Sequence, residues 1–249
     1  MIAHLAKLAV PLIIAMPVHA SDVFEFRGIA KAIDNDEVLY QELHRVTGTC
    51  RDNLFLPGEH QVDYRKGSSE NTFASKRLQY GAASARPSID FRQPDFNEQL
   101  QIRYPDANNV DIHWQPPAGA AKNFSVTFDE SLVVDAGFDH FVRANWPSVV
   151  AGESLPFQFL APTRGDHYGF VLEPAGVSDV DAEVLIQIRP TSLVLRFLVD
   201  PIILGYNRNG ALTHYKGLTN IRADSENNHT AHIRYQVTQY PECELTSQG

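Results

Sequence analysis

Apolar and polar residues alternate with a period of two over most of this chain, and that pattern limits the fold more than any other feature. A period of two places successive side chains on opposite faces of a strand. In residues 37–46, Val38, Tyr40, Glu42 and His44 alternate with Leu39, Gln41, Leu43 and Arg45. Similar segments follow at 60–66, 72–80, 98–104, 110–114 and 124–128, then at 155–160, 168–172, 182–189, 192–199, 202–207, 211–215 and 229–240. Gly, Pro, Asn and Asp separate them, as at 106–109, 116–119, 208–210 and 224–228. Such residues set the backbone for tight turns, and the Asn209-Gly210 pair suits a two-residue hairpin loop. The segments predict a large antiparallel sheet.

One stretch follows a different period. Phe138, Phe141, Val142, Trp146 and Val149 recur at helical spacing, with Asp135 placed to cap the start and Gly152 to stop the end. Pro147 would clash with the carbonyl of Arg143, so a kink or two short helices is expected. The apolar stripe needs a surface to bury against. The predicted fold is therefore mainly β: a curved sheet forming an open half-barrel, with one kinked helix across its concave face.

The first twenty residues read as a leader. Lys7 precedes an apolar stretch from Leu8 to Val18, and Val18-His19-Ala20 offers a small-x-small cleavage signal. Pro11 and Pro17 interrupt the stretch, which is too short to span a bilayer. This predicts a signal peptide at 1–20 and a single domain at 21–249. The expected destination is the periplasm, without a lipid anchor, because Ser21 rather than cysteine follows the cut.

Removing Lys7 with the leader takes the net charge from −9 to −10. No basic cluster is present, which argues against nucleic acid as a partner. No further apolar run is long enough to cross a membrane; residues 193–206 are broken by Arg196, Asp200 and Pro201. Cys50 and Cys243 are the only cysteines, and an oxidising compartment favours a disulfide between them over two free thiols.

Motifs for chemistry are sparse. His229 and His232 are three apart, so a strand would turn them to opposite faces and they could not share a zinc ion. Solvent-facing strand positions account for the histidines. The acidic stretches at 34–37 and 106–111 lack the glycine and distal glutamate of a calcium loop and read as polar turns. Gly-x-Ser-x-Gly and phosphate-cradling glycine loops are absent. The expectation is a protein without a catalytic motif, metal or cofactor. Residues 193–199 are apolar on both faces apart from Arg196, as in a strand buried on both sides or bordering a cavity.

The layout of two strand runs joined by a helix, covering most of residues 37–240, resembles the lipoprotein-localisation carriers LolA and LolB. The segments 134–139 and 210–221 look like parts of an uncharacterised proteobacterial envelope family. The resemblance implies a lipid or lipoprotein acyl chain held in an apolar concavity. The lining it implies is Phe138, Phe141 and Trp146 together with Leu193, Leu195 and Phe197 of the apolar strand. The absence of a lipidation cysteine departs from LolB and weighs against an acceptor role at the outer membrane. Two other readings stand beside a carrier or sensor. One is a ligand-free module that binds an envelope protein; the other is a hydrolase acting on envelope polymers.

Overall fold

The computed structural model describes residues 22–67, 69–176, 178–197 and 199–247. The leader expected at 1–20 lies outside them. The described residues form one open sheet of 15 strands with three short α-helices. The first run contains β1 (Asp22–Ala32), β2 (Val38–Arg51), β3 (Leu54–Arg65), β4 (Thr72–Gln79), β5 (Ser88–Gln93), β6 (Glu98–Arg103), β7 (Asn109–Gln115) and β8 (Lys122–Thr127). The second begins with β9 (Leu132–Val133), α1 (Gly137–Ala144) and α2 (Trp146–Val150). It continues through β10 (Leu155–Ala161), β11 (Asp166–Pro174), β12 (Val184–Pro190), α3 (Leu193–Arg196), β13 (Ile202–Tyr206), β14 (Leu212–Arg222) and β15 (Asn228–Gln239).

Each run is a meander, and the two join where β1 pairs antiparallel with β15. This puts β8 at one edge and β9 at the other, although only residues 128–131 separate them in sequence. Five backbone steps span at most about 18 Å. The sheet must therefore curl until its far edges come within that distance, and no ladder of hydrogen bonds closes the gap. At the β10–β11 turn, Gly165 has φ +63°, and a Cβ there would lie 2.2 Å from the Phe124 ring of β8. Only glycine allows both that backbone and that approach.

Curling brings strands into contact that are distant within the sheet. Five strands separate β5 from β14, yet Gln93 Nε2 donates to the Asn220 carbonyl (3.1 Å) and Gln93 Oε1 accepts from the Arg222 amide (2.9 Å). Two large cores result. One centres on Leu78, Ile89, Ile102 and Ile112 and takes in Leu160, Ile221 and Ile233 of the second run; the other centres on Val142, Leu172, Ile186 and Leu204. A third cluster, around Phe24, Phe55 and Leu245, packs beside the Cys50–Cys243 disulfide. The cysteines thus pair as the sequence suggested.

The helical segment connects the halves. Val134 N donates to the Ala85 carbonyl in the β4–β5 connection (3.0 Å), while Val142, Trp146 and Val149 bury against the β10–β13 core. The break falls at Asn145, with Pro147 in the first turn of α2, and Gly152 takes φ +77° just past its end. Asp135 does not cap α1 as expected. It sits one residue too early, at φ +46°, and Ala136 takes the cap position without a side-chain bond.

The strand expected at 192–199 does not form. Both edges of β12 are already occupied, by β11 and β13, so this run has no strand to pair with. It closes its hydrogen bonds locally instead: Arg196 N donates to Ser192 O (3.1 Å) and Val199 N to Leu195 O (2.9 Å). The result is α3, whose apolar side chains face outward: Leu193 is 70% and Phe197 88% exposed, and Leu195 is half-buried.

Candidate functional site

The curled sheet and α1 enclose a cavity of about 420 Å³. Pockets that hold small ligands span roughly 300–1,000 Å³. Its two sides differ in chemistry. Strands β10 to β13 contribute apolar groups, among them Phe159, Phe170, Ile188 and Leu204, and Phe138 of α1 adds to them. Strands β2 to β4 contribute Glu42, His44, His60 and Lys76, and α1 adds Asp139, His140 and Arg143. Lys76, His60, His140 and Arg143 are all buried.

Buried charge is costly unless it is paired, and the acids here are paired. The Asp135 carboxylate accepts from Lys76 Nζ (2.8 Å), from Asn220 Nδ2 (2.8 Å) and from the Ala136 amide (2.6 Å). Asp139 lies 2.7 Å from Arg143, whose Nε donates to the Gly210 carbonyl (2.9 Å). Deeper in the sheet, Glu98 takes two bonds from Arg222 (2.6 and 2.7 Å) and one from Trp114 Nε1 (3.0 Å).

Glu42 ends a chain of hydrogen bonds. Tyr235 OH donates to it (2.8 Å), and His44 Nε2 lies 2.9 Å from the same oxygen. His44 Nδ1 is 2.9 Å from His60 Nε2, and His60 Nδ1 is 3.4 Å from Tyr80 OH. With Glu42 ionised and both imidazoles neutral, every donor in the chain points towards Glu42. These tautomers are assigned from the network. Phe26 stacks on His44 at 4.2 Å, and Tyr80 meets His140 edge-on at 4.7 Å.

Burial holds the His60 imidazole well below its ordinary titration range, helped by His44, His140, Lys76 and Arg143. Burial also lowers His140, with Arg143 adding to the effect. Burial raises the Asp139 carboxyl, against the pull of Arg143. Histidines held neutral in the fold bind fewer protons than the same residues in the unfolded chain, so stability rises with pH where the two states differ. Unfolding free energy should accordingly fall as pH drops through about 6.5, by up to about 1.4 kcal/mol per pH unit for each histidine. Urea unfolding between pH 7.5 and 5 measures this slope. His60→Gln and His140→Gln should each flatten it.

The sequence-derived lining is only partly assembled. Phe138 borders the cavity. Phe141 packs behind the wall on Phe157 (5.1 Å), and Trp146 packs on Tyr206 (5.9 Å). Leu193 and Leu195 on α3 and Phe197 just past its end do not line the cavity; Val199, Asp200 and Ile202, further on, do. The expectation of solvent-facing histidines fails for His44, His60 and His140, because curling turns that face of β2 and β3 inward beneath α1. One signal was available in the sequence: His44 and Glu42 share a face with the buried Tyr40 and Val46.

No protein-family model, curated protein or solved structure matches the chain. The site's chemistry therefore has to be read from its own residues. Among the described residues, the only cluster with metal-ligand spacing is Asp22, Cys50 and Cys243, and both of its sulfurs are committed to the disulfide. No helix among them is long and apolar enough to cross a membrane.

Proposed function

We propose that this protein binds a lipophilic ligand, a lipid or an acyl chain, as an extracytoplasmic carrier or sensor rather than as an enzyme. The observation that carries this reading is the cavity of about 420 Å³, with an apolar wall on one half of the sheet and buried polar groups on the other. An acyl chain against Phe138, Phe159, Phe170 and Ile188 would gain about 0.8 kcal/mol for each methylene removed from water. The resemblance of the sequence layout to the LolA and LolB carriers would imply such a ligand. The Cys50–Cys243 disulfide and the leader-like residues 1–20 support a periplasmic location.

Native mass spectrometry of protein purified without detergent, followed by solvent extraction, tests this. The expected result is a bound mass that extracts as lipid. Phe138→Asp, which puts a charge into the apolar wall, should reduce retention at least about tenfold, while Leu193→Asp on α3 should leave it unchanged. A ligand-free mass that also fails to take up added lipid would overturn the proposal.

The apolar side chains of α3 favour a second reading. Leu193, Val194 and Phe197 project into solvent beside the residues that border the cavity, as a contact point for another envelope protein would. A stoichiometric partner lost on Phe197→Ser, with no lipid bound, would support that module instead.

A further inference from the structure

The polar wall constrains the ligand's head, an inference that rests on the cavity being a ligand site. Several elements present titratable or charged groups to this wall. From β2 come Glu42 and His44, from β3 His60 and Tyr64, and from the end of β4 Lys76 and Tyr80. Asp135 precedes α1, which adds Asp139, His140 and Arg143; β15 adds Tyr235, β14 adds Tyr215 and Arg222, β6 adds Glu98, and Asp200 follows α3. Lys76 pairs with Asp135 and Arg143 with Asp139, while Glu42 is held by hydrogen bonds from His44 and Tyr235. His60 and His140 remain, two buried bases with no carboxylate of their own.

We propose that an acidic head, a carboxylate or phosphate monoester on a single alkyl chain, binds beside His60 and His140 and enters together with a proton that they take up. In the tautomers assigned above, His60 Nδ1 accepts from Tyr80. Protonation there turns it into a donor, and Tyr80 can rotate its hydroxyl towards the ligand. A protonated imidazole in this position is costly for lack of a counter-ion, and the acidic head supplies one. Lys76 and Arg143, which discourage protonation of the imidazoles, also draw the anion in. The alkyl chain then lies along the wall built by β10 to β13.

Isothermal titration calorimetry of the full protein tests this with three probes that share one chain: hexadecanoate, hexadecyl phosphate and hexadecanol. Each is titrated at pH 7.5 and 6.5 in two buffers of different ionisation heat. Hexadecanoate or hexadecyl phosphate should bind at least about tenfold tighter than hexadecanol, and the better of the two names the head. Its binding should take up protons from the buffer. Its affinity should rise up to about tenfold per proton over that pH unit. His60→Gln and His140→Gln, checked for folding by circular dichroism, should reduce the proton uptake and narrow the preference for the acid. If either variant fails to fold, the two-buffer comparison on the unmodified protein decides alone. Hexadecanol binding as tightly as both acids, or acid binding without proton uptake, would overturn the acidic head and leave the lipophilic-ligand reading standing. If none of the three binds, the ligand reading itself fails.

Discussion

Breaking the Cys50–Cys243 bond should cost about 2–5 kcal/mol of stability. The cysteines are 193 residues apart, so the bond closes nearly the whole described chain into one loop. In the chain-entropy account, a loop this long gives about 5 kcal/mol, at the upper end of what disulfides contribute. The native contacts around it are local and add their own dependence on the staple. Glu244 exchanges backbone hydrogen bonds with Asn53 and Phe55 (both 2.9 Å), and Leu245 is buried among Phe24 and Phe55. Without the covalent tie, the tail must find these contacts from a freely moving end. Thermal unfolding of Cys50→Ser/Cys243→Ser should show a midpoint lowered by roughly 10 °C. Reductant should lower the midpoint of the unmodified protein equally and leave that of the variant unchanged. A loss below about 1 kcal/mol would mean that the tail is held by its side-chain packing alone.

Lys76→Met should destabilise the fold by about 3–5 kcal/mol, because it strands the Asp135 carboxylate. That carboxylate is 13% exposed and keeps only Asn220 and the Ala136 amide as donors. The position matters beyond the pair. Asp135 stands at the entry to α1 with φ +46° and connects β4 to β14 through its two side-chain partners. The methionine also gives up the cation's contact with the Phe91 ring at 5.0 Å. Asp135→Asn tolerates the same backbone angle and removes the charge. The double variant Lys76→Met/Asp135→Asn should therefore recover at least half of the loss. Urea unfolding of the two single variants and the double variant gives the coupling directly. A double variant no more stable than Lys76→Met would show that packing, not the unpaired charge, sets the cost.

Both effects trace to the same geometric fact. Residues 128–131 connect opposite edges of the sheet, so the sheet has to curl, and curling puts charged side chains from distant strands into one interior. Their pairing stabilises the curl, and the space left between them is the candidate site. The contact between Gln93 and β14, the Glu98–Arg222 pair and the Lys76–Asp135–Asn220 group all span the same cavity.

The sequence by itself determined what depends on local chemistry. Period-two alternation set the strand content, because a half-buried strand must alternate whatever its partner. Pro147 and Gly152 set the break and the end of the helical segment through backbone sterics alone. Strand β1 was overlooked although Phe24, Phe26 and Ala30 share its buried face, since Gly28 interrupts the apolar series at the point where a side chain would strike Tyr235. The tertiary structure alone decided which strand faces meet. Residues 192–199 carry an apolar pattern suited to a buried strand, but Leu193–Arg196 became an exposed helical turn because β11 and β13 already occupy both sides of β12. The histidines of β2 and β3 lie far in sequence from α1, and the face that His44 shares with Tyr40 and Val46 marks it as inward without revealing what it meets there. Their convergence required the curl of the whole sheet, which is set by how its two edges are connected rather than by any one segment.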